Sequence, residues 1–209
     1  VQLETLLTIF LSGISMHLLC GYWGLSRKTR ISIAVAWMLN GYITDAGQFL
    51  NWLYAAAYLP LVFYTALRCF GQFRAKDAFL LGAAASLLLL SAYPADVILT
   101  GYLLLGFLIF SFYRFQKTTT VKSAAKLYGR QLLISGCSFL IISLPAILSY
   151  IPFLQTFNRG SGISLELAMS NTLAPANLIS FLYPWSVQRL NWWQTTDPLI
   201  RNCYIGLLP

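Results

Sequence analysis

Six apolar runs separated by short polar connections govern what this chain can fold into. They occupy 6–23, 31–43, 50–70, 79–93, 97–113 and 132–151, and a seventh opens near Tyr204. A helix crosses the hydrocarbon layer of a bilayer with about 20 apolar residues, or somewhat fewer when its ends are buried in protein. Lipid offers no partner to a backbone N–H or C=O, so each run must satisfy its own hydrogen bonds as a helix. The expected fold class is all-α: one multi-pass transmembrane helical bundle over 1–209. It has about six helices, the start of a seventh, and a long extracytoplasmic loop over 152–203 that carries short helices. The second and fourth runs are short, and each is expected to form one arm of a hairpin or to stop below the outer surface.

Composition closes off the soluble alternative. Apolar residues make up 58% of the chain and charged residues 10%, with a mean hydropathy of +0.68; soluble domains average about half and about a quarter. A net charge of +8 would suggest nucleic acid in a soluble protein. Here the basic residues cluster between apolar runs, where membrane orientation accounts for them, and no nucleic-acid partner is expected. Cys20, Cys69, Cys137 and Cys203 form no CxxC pair, which points to packing residues rather than a metal or redox site. Residues 1–7 lead into apolar sequence without the basic n-region of a signal peptide, and 204–209 read as a helix just begun. The expectation is an interior piece of a longer protein.

Charge also assigns the faces. Arg27, Lys28 and Arg30 follow the first run; Arg68, Arg74 and Lys76 lie at and beyond the end of the third; Arg114, Lys117, Lys122, Lys126 and Arg130 follow the fifth. The alternate connections, 44–48 and 94–96, hold no Lys or Arg but contain Asp45 and Asp96. By the positive-inside rule the basic connections are cytoplasmic and the acidic ones face outward. The stretch 152–203 then lies outside, and at about fifty residues it is too long for a bare link in a compact protein, so it is expected to carry function. Short helices are expected from Ser164 and across 177–182. Tyr183, Trp185, Trp192 and Trp193 suit either a membrane-interface belt or stacking on a sugar ring.

Ionisable groups near membrane depth are costly and therefore candidates for function. Asn40, Thr44, Asp45, Gln48 and Asn51 crowd the outer end of one hairpin. Thr44 or Asp45 suits capping of the next helix, and the group as a whole suits the polar wall of an outward-facing cavity. Pro94 ends the fourth run, and Asp96 suits a cap on the fifth. Tyr93, Asp96 and Tyr102 are also expected to converge on the same outer surface as Asp45. Two carboxylates there suit holding a cation, orienting a hydroxyl or acting as a base. Arg159 and Glu166 form either a phosphate contact, through the guanidinium, or a surface ion pair. His17, the lone histidine, suits a helix-to-helix hydrogen bond better than a metal. No Walker loop, GxSxG, HExxH or DxD occurs, and no internal repeat.

One stretch resembles the middle of the YfhO-like bacterial membrane protein family: Gly41 and Tyr42 closing a helix, a polar turn, then Asn51, Trp52 and Leu53 opening a helix that carries Pro60. SAYPADVILTGYLLLGFLI is similar to the family's next hairpin, although Ala92, Tyr93, Pro94 and Ala95 stand where Gly-His-Pro-Gln is commoner. LPAILSYIPFLQTFNRGSGISLELAMSNTLAPANLISFLYPW resembles its outer loop, and NCYIGLLP the start of the helix after it.

The resemblance implies a GT-C-type glycosyltransferase of the bacterial cytoplasmic (inner) membrane, moving a sugar from a polyprenyl-phosphate donor to an acceptor on the extracytoplasmic face. Its partners would be the lipid bilayer and a lipid-linked sugar. In such enzymes the catalytic acid sits in the first outer loop, which puts it upstream of this chain and leaves the catalytic residue unknown here. Asp45, Gln48, Asn51, Tyr93, Asp96, Arg159 and Glu166 are the expected substrate-binding residues. Arg159 would help the leaving phosphate, and Asp45 and Asp96 would orient acceptor hydroxyls or a cation. No cofactor or metal is indicated. The rival readings are a transporter or flippase for a lipid-linked glycan, for which the lack of a repeat counts against, and a non-enzymatic membrane subunit. The sequence leaves the sugar, the acceptor and the oligomeric state open.

Overall fold

A computed structural model describes residues 2–45 and 49–152, with the backbone alone for Thr44 and Asp45. Among the described residues the chain is all-helical: α1 (Gln2–Tyr22), α2 (Arg27–Met38), α3 (Gly41–Asp45), α4 (Leu50–Gln72), α5 (Ala75–Ser91), α6 (Pro94–Gln116) and α7 (Val121–Tyr150). Four of these, α1, α4, α6 and α7, are long and apolar enough to cross a membrane. That is the build of a membrane protein. At 12 and 17 residues, α2 and α5 are shorter than a full span.

Local chemistry explains the breaks. Gly24, at φ 72, turns the chain after α1, a conformation that costs glycine nothing. Ser26 then caps α2 by accepting from the Thr29 N–H at 3.3 Å. The expected single helix over 31–43 divides at Asn40, which serves both pieces. Its Nδ2 donates to the Trp37 carbonyl at 2.7 Å, and its Oδ1 accepts from the Ile43 N–H at 2.9 Å. Pro60 sits inside α4 and has no N–H to give the Ala56 carbonyl. Trp37 Nε1 donates to that same oxygen at 3.3 Å, so the defect in α4 becomes a tie to α2.

The last helix starts at Val121, well before the expected 132. Thr120 caps it, accepting from the Ser123 N–H at 3.4 Å. Lys122, Lys126 and Arg130, read from the sequence as a connection, are good helix formers spaced four apart. They lie on the exposed side, across from buried Ala124, Tyr128 and Gln131.

α4 is central, packed against α1 on one side and α5 on the other; α5 in turn lies along α7, and α2 along α1. The contacts are made by small residues, as helices in lipid require for close approach: Ala55, Ala56, Ala57, Ala66, Ala78 and Ala84 are buried. A Cβ on Gly82 of α5 would overlap Ser138 Oγ and the Ser135 carbonyl of α7 and lie 2.9 Å from the Phe139 nitrogen. At the turn after α4, Phe73 takes the left-handed φ of 52, unusual for a bulky residue. Its ring packs 4.9 Å from Phe115 and 5.4 Å from Tyr128, which hold it there. α6 forms an edge. Thr100 is its one buried residue, and Ile98, Leu99, Leu105, Ile109 and Phe110 are exposed.

Candidate functional site

Two hydrogen bonds between helices fix which ends meet. The Tyr22 hydroxyl, at the end of α1, donates to the Leu67 carbonyl near the end of α4 at 3.0 Å. The Tyr93 N–H, just beyond α5, donates to the Asn51 carbonyl at the start of α4 at 3.2 Å. Arg74, Lys76, Lys117 and Lys122 therefore gather at one end of the bundle, and Tyr42, Asn51, Tyr93 and Asp96 at the other. We call these the basic end and the acidic end.

At the acidic end, four aromatic rings cluster, and one of them meets a carboxylate. Tyr42 lies parallel to Trp52 at 6.5 Å between centroids, and Trp52 meets Tyr93 at 5.6 Å and Phe49 at 5.8 Å. The Tyr42 hydroxyl donates to Asp96 Oδ2 at 3.3 Å and lies 3.5 Å from the Trp52 carbonyl. Burial first, and then the Asp96 charge and its hydrogen bond, push the Tyr42 hydroxyl well above its ordinary range. It therefore stays a donor to a carboxylate. Asp96 stands in the first turn of α6 but does not cap it: Tyr93 is the N-cap, with no side-chain bond, and Pro94 occupies the first turn. A carboxylate there still meets the positive end of the helix dipole.

Beside this cluster, the ends of α5, α6 and α7 and the start of α4 enclose a cavity of about 670 Å³. Asn51 and Ser91 supply polar groups, while Leu90, Val97, Ile98 and Ile147 make the wall apolar. A second cavity of about 370 Å³ lies between α1 and α4, where the Tyr54 hydroxyl donates to Glu4 and stacks 6.1 Å from Tyr58.

Of the expected site residues, Asn51, Tyr93 and Asp96 come together at this end. The backbone of Asp45 closes α3 nearby in sequence, but its side chain, and Gln48, Arg159 and Glu166, lie outside the described residues. So do the short helices expected from Ser164 and over 177–182, and Tyr183, Trp185, Trp192 and Trp193. The N-cap of α4 is Phe49, which makes no side-chain cap bond, so neither Thr44 nor Asp45 holds the N-cap position expected of it. Tyr102 does not join the cluster and is 70% exposed. His17 makes no helix-to-helix hydrogen bond among the described residues.

Sequence reasoning missed a polar group at the basic end. Asp77 of α5 is buried with Arg68 Nη2 of α4 2.7 Å from its Oδ1. The charges touch without lining up as a hydrogen bond, and Asp77 Oδ2, Arg68 Nε and Gln131 Nε2 have no hydrogen-bond partner among the described residues. The Cys69 thiol donates to Gln131 Oε1 of α7 at 3.7 Å. The available signal was Arg68 itself, a cation inside an apolar run that needed a partner. Among the described residues no group of three or more His, Cys, Asp or Glu is placed to hold a metal. No protein-family model, curated protein or solved structure matches the chain.

Proposed function

We infer that this chain is the membrane domain of a GT-C-type glycosyltransferase that receives a polyprenyl-phosphate sugar at its acidic end, outside the cytoplasmic membrane of a bacterium. One observation carries the reading: an apolar cavity of about 670 Å³ with a polar edge lies beside an aromatic cluster whose Tyr42 holds the Asp96 carboxylate. An isoprenoid chain matches the Leu90, Ile98 and Ile147 wall. A sugar ring matches the faces of Trp52 and Tyr93, and its hydroxyls match Asp96 and Asn51. The leaving phosphate needs cationic help, the role assigned to Arg159. Asp45, Gln48 and Glu166 complete the polar surround. The six apolar runs act as a multi-pass bundle with the basic end in the cytoplasm.

The test is transfer by the full-length protein, reconstituted with a polyprenyl-phosphate sugar, together with crosslinking by a photoreactive polyprenyl phosphate. Transfer, with labels at Ile98 or Ile147, supports the reading. Passage of the lipid across the bilayer without transfer would favour a flippase. Neither transfer nor labelling would end both.

A further inference from the structure

We propose that α7 seats an anionic phospholipid at the basic end, its headgroup on Lys122, Lys126 and Arg130 and its acyl chains along the apolar continuation of the same helical face. Residues four apart on a helix fall almost one above another, so the three cations form a single exposed stripe. Carried onward in steps of three and four, the same face holds Leu133, exposed Cys137, Ile141, Leu144 and Leu148, the four aliphatic side chains exposed by 68, 73, 47 and 54%. The side turned to the protein is a separate stripe of Ala124, Tyr128, Gln131, Ser135 and Ser138. One outward face therefore reads cationic for its first turns and apolar for the rest.

Length fixes where the change falls. A helix of 30 residues is about 45 Å long, against a hydrocarbon layer of about 30 Å. The surplus of about 15 Å is ten residues. No Asp, Glu, Lys or Arg occurs from Gln131 to Ile151, so the charge-free part fills the hydrocarbon and residues 121–130 stand at headgroup depth. Arg114 and Lys117, at the end of neighbouring α6, lie over the rings of Phe110 and Tyr113 at 5.9 and 4.4 Å and add cations at the same depth. Lys122, Lys126 and Arg130 have no carboxylate partner among the described residues, where the one ion pair joins Arg68 to Asp77. Three unpaired cations above an apolar track match a phosphate headgroup above its own acyl chains, in charge and in order. A soluble anion would match the cations alone and would not extend along Leu133, Ile141 and Leu148, which lie at hydrocarbon depth.

Native mass spectrometry of the purified full-length protein, titrated with phosphatidylglycerol or phosphatidylcholine, tests the seat. Wild type is expected to retain phosphatidylglycerol selectively and to lose that preference as salt is raised. Each cation near an anionic surface is worth about a fivefold change in affinity, so Lys122→Gln/Lys126→Gln/Arg130→Gln should bind phosphatidylglycerol roughly a hundredfold more weakly. Phosphatidylcholine binding and helical circular dichroism should not change. If the triple variant is not isolated folded, Lys126→Gln alone should read about fivefold, and Lys126→Arg should restore the wild-type value. Equal retention of the two lipids by wild type, or undiminished phosphatidylglycerol binding by the variants, would overturn the seat. So would inorganic phosphate competing the lipid off at stoichiometric concentration.

Discussion

The Tyr42 hydroxyl donates to Asp96 Oδ2 at 3.3 Å, joining the short helix α3 to the first turn of α6 across 54 positions of sequence. An acid–base or orienting carboxylate contributes about a hundredfold or more to a reaction it serves. Under the proposed transfer, Asp96→Asn should lower turnover by about that factor, and Tyr42→Phe, which removes a single hydrogen bond, by about tenfold. Both positions are partly exposed, so both variants should fold normally. Wild-type turnover by Asp96→Asn in reconstituted vesicles would remove Asp96 from the site.

Asp77 and Arg68 govern stability rather than turnover. Asp77→Ala leaves the guanidinium without its partner, and breaking a buried pair costs about 3 to 5 kcal/mol. Arg68 keeps 25% of its side chain exposed and can turn towards water, so the low end, about 3 kcal/mol, is expected. The Arg68→Ala/Asp77→Ala double variant should lose less than the two single losses added. Reversible unfolding in mixed micelles measures all three, and strict additivity would mean that the contact contributes nothing.

Gly82→Ala places a methyl group on Ser138 Oγ and the Ser135 carbonyl. Backbone cannot yield as a flexible side chain does, so α5 and α7 must separate, at about 1 to 3 kcal/mol. Gly106→Ala, on α6, meets nothing within 4 Å and should gain about 0.5 to 1 kcal/mol from helix propensity alone. Thermal unfolding of the two variants side by side should therefore move in opposite directions.

The two ends should answer differently to an impermeant thiol reagent in intact cells. In a background cleared of Cys20, Cys69, Cys137 and Cys203, a cysteine replacing Tyr93 should be labelled. One replacing Lys122 should be labelled only after the membrane is opened. The reverse pattern would invert the proposed orientation.

Apolar runs made α1, α4 and α6 legible to within a few residues, because a span in lipid is set by the length of unbroken hydrophobic sequence. Polar helix is harder to see. Lys122, Lys126 and Arg130 resemble a connection by composition, and only their spacing of four betrays a helical face. The division at Asn40 depends on one side chain bonding both ways, to Trp37 and Ile43. Composition holds no trace of that. Asn51, Tyr93 and Asp96 could be grouped in advance because all lie in or beside connections on one side of the charge alternation. Asp77 and Gln131 could not, since their meeting with Arg68 and Cys69 depends on which helices lie side by side.

α6 is attached unlike its neighbours. In the most apolar window of α4, 56% of residues are buried, against 6% in α6. Free energy of attachment follows the contact surface lost on separation, so drawing α4 out would undo the bundle, whereas shifting α6 sideways sacrifices little. Because α6 also forms one wall of the cavity at the acidic end, the cheapest way into that cavity is a lateral one. Under the proposed function, a long-chain guest would enter from among the surrounding lipids, past α6, with no need to leave the bilayer for water.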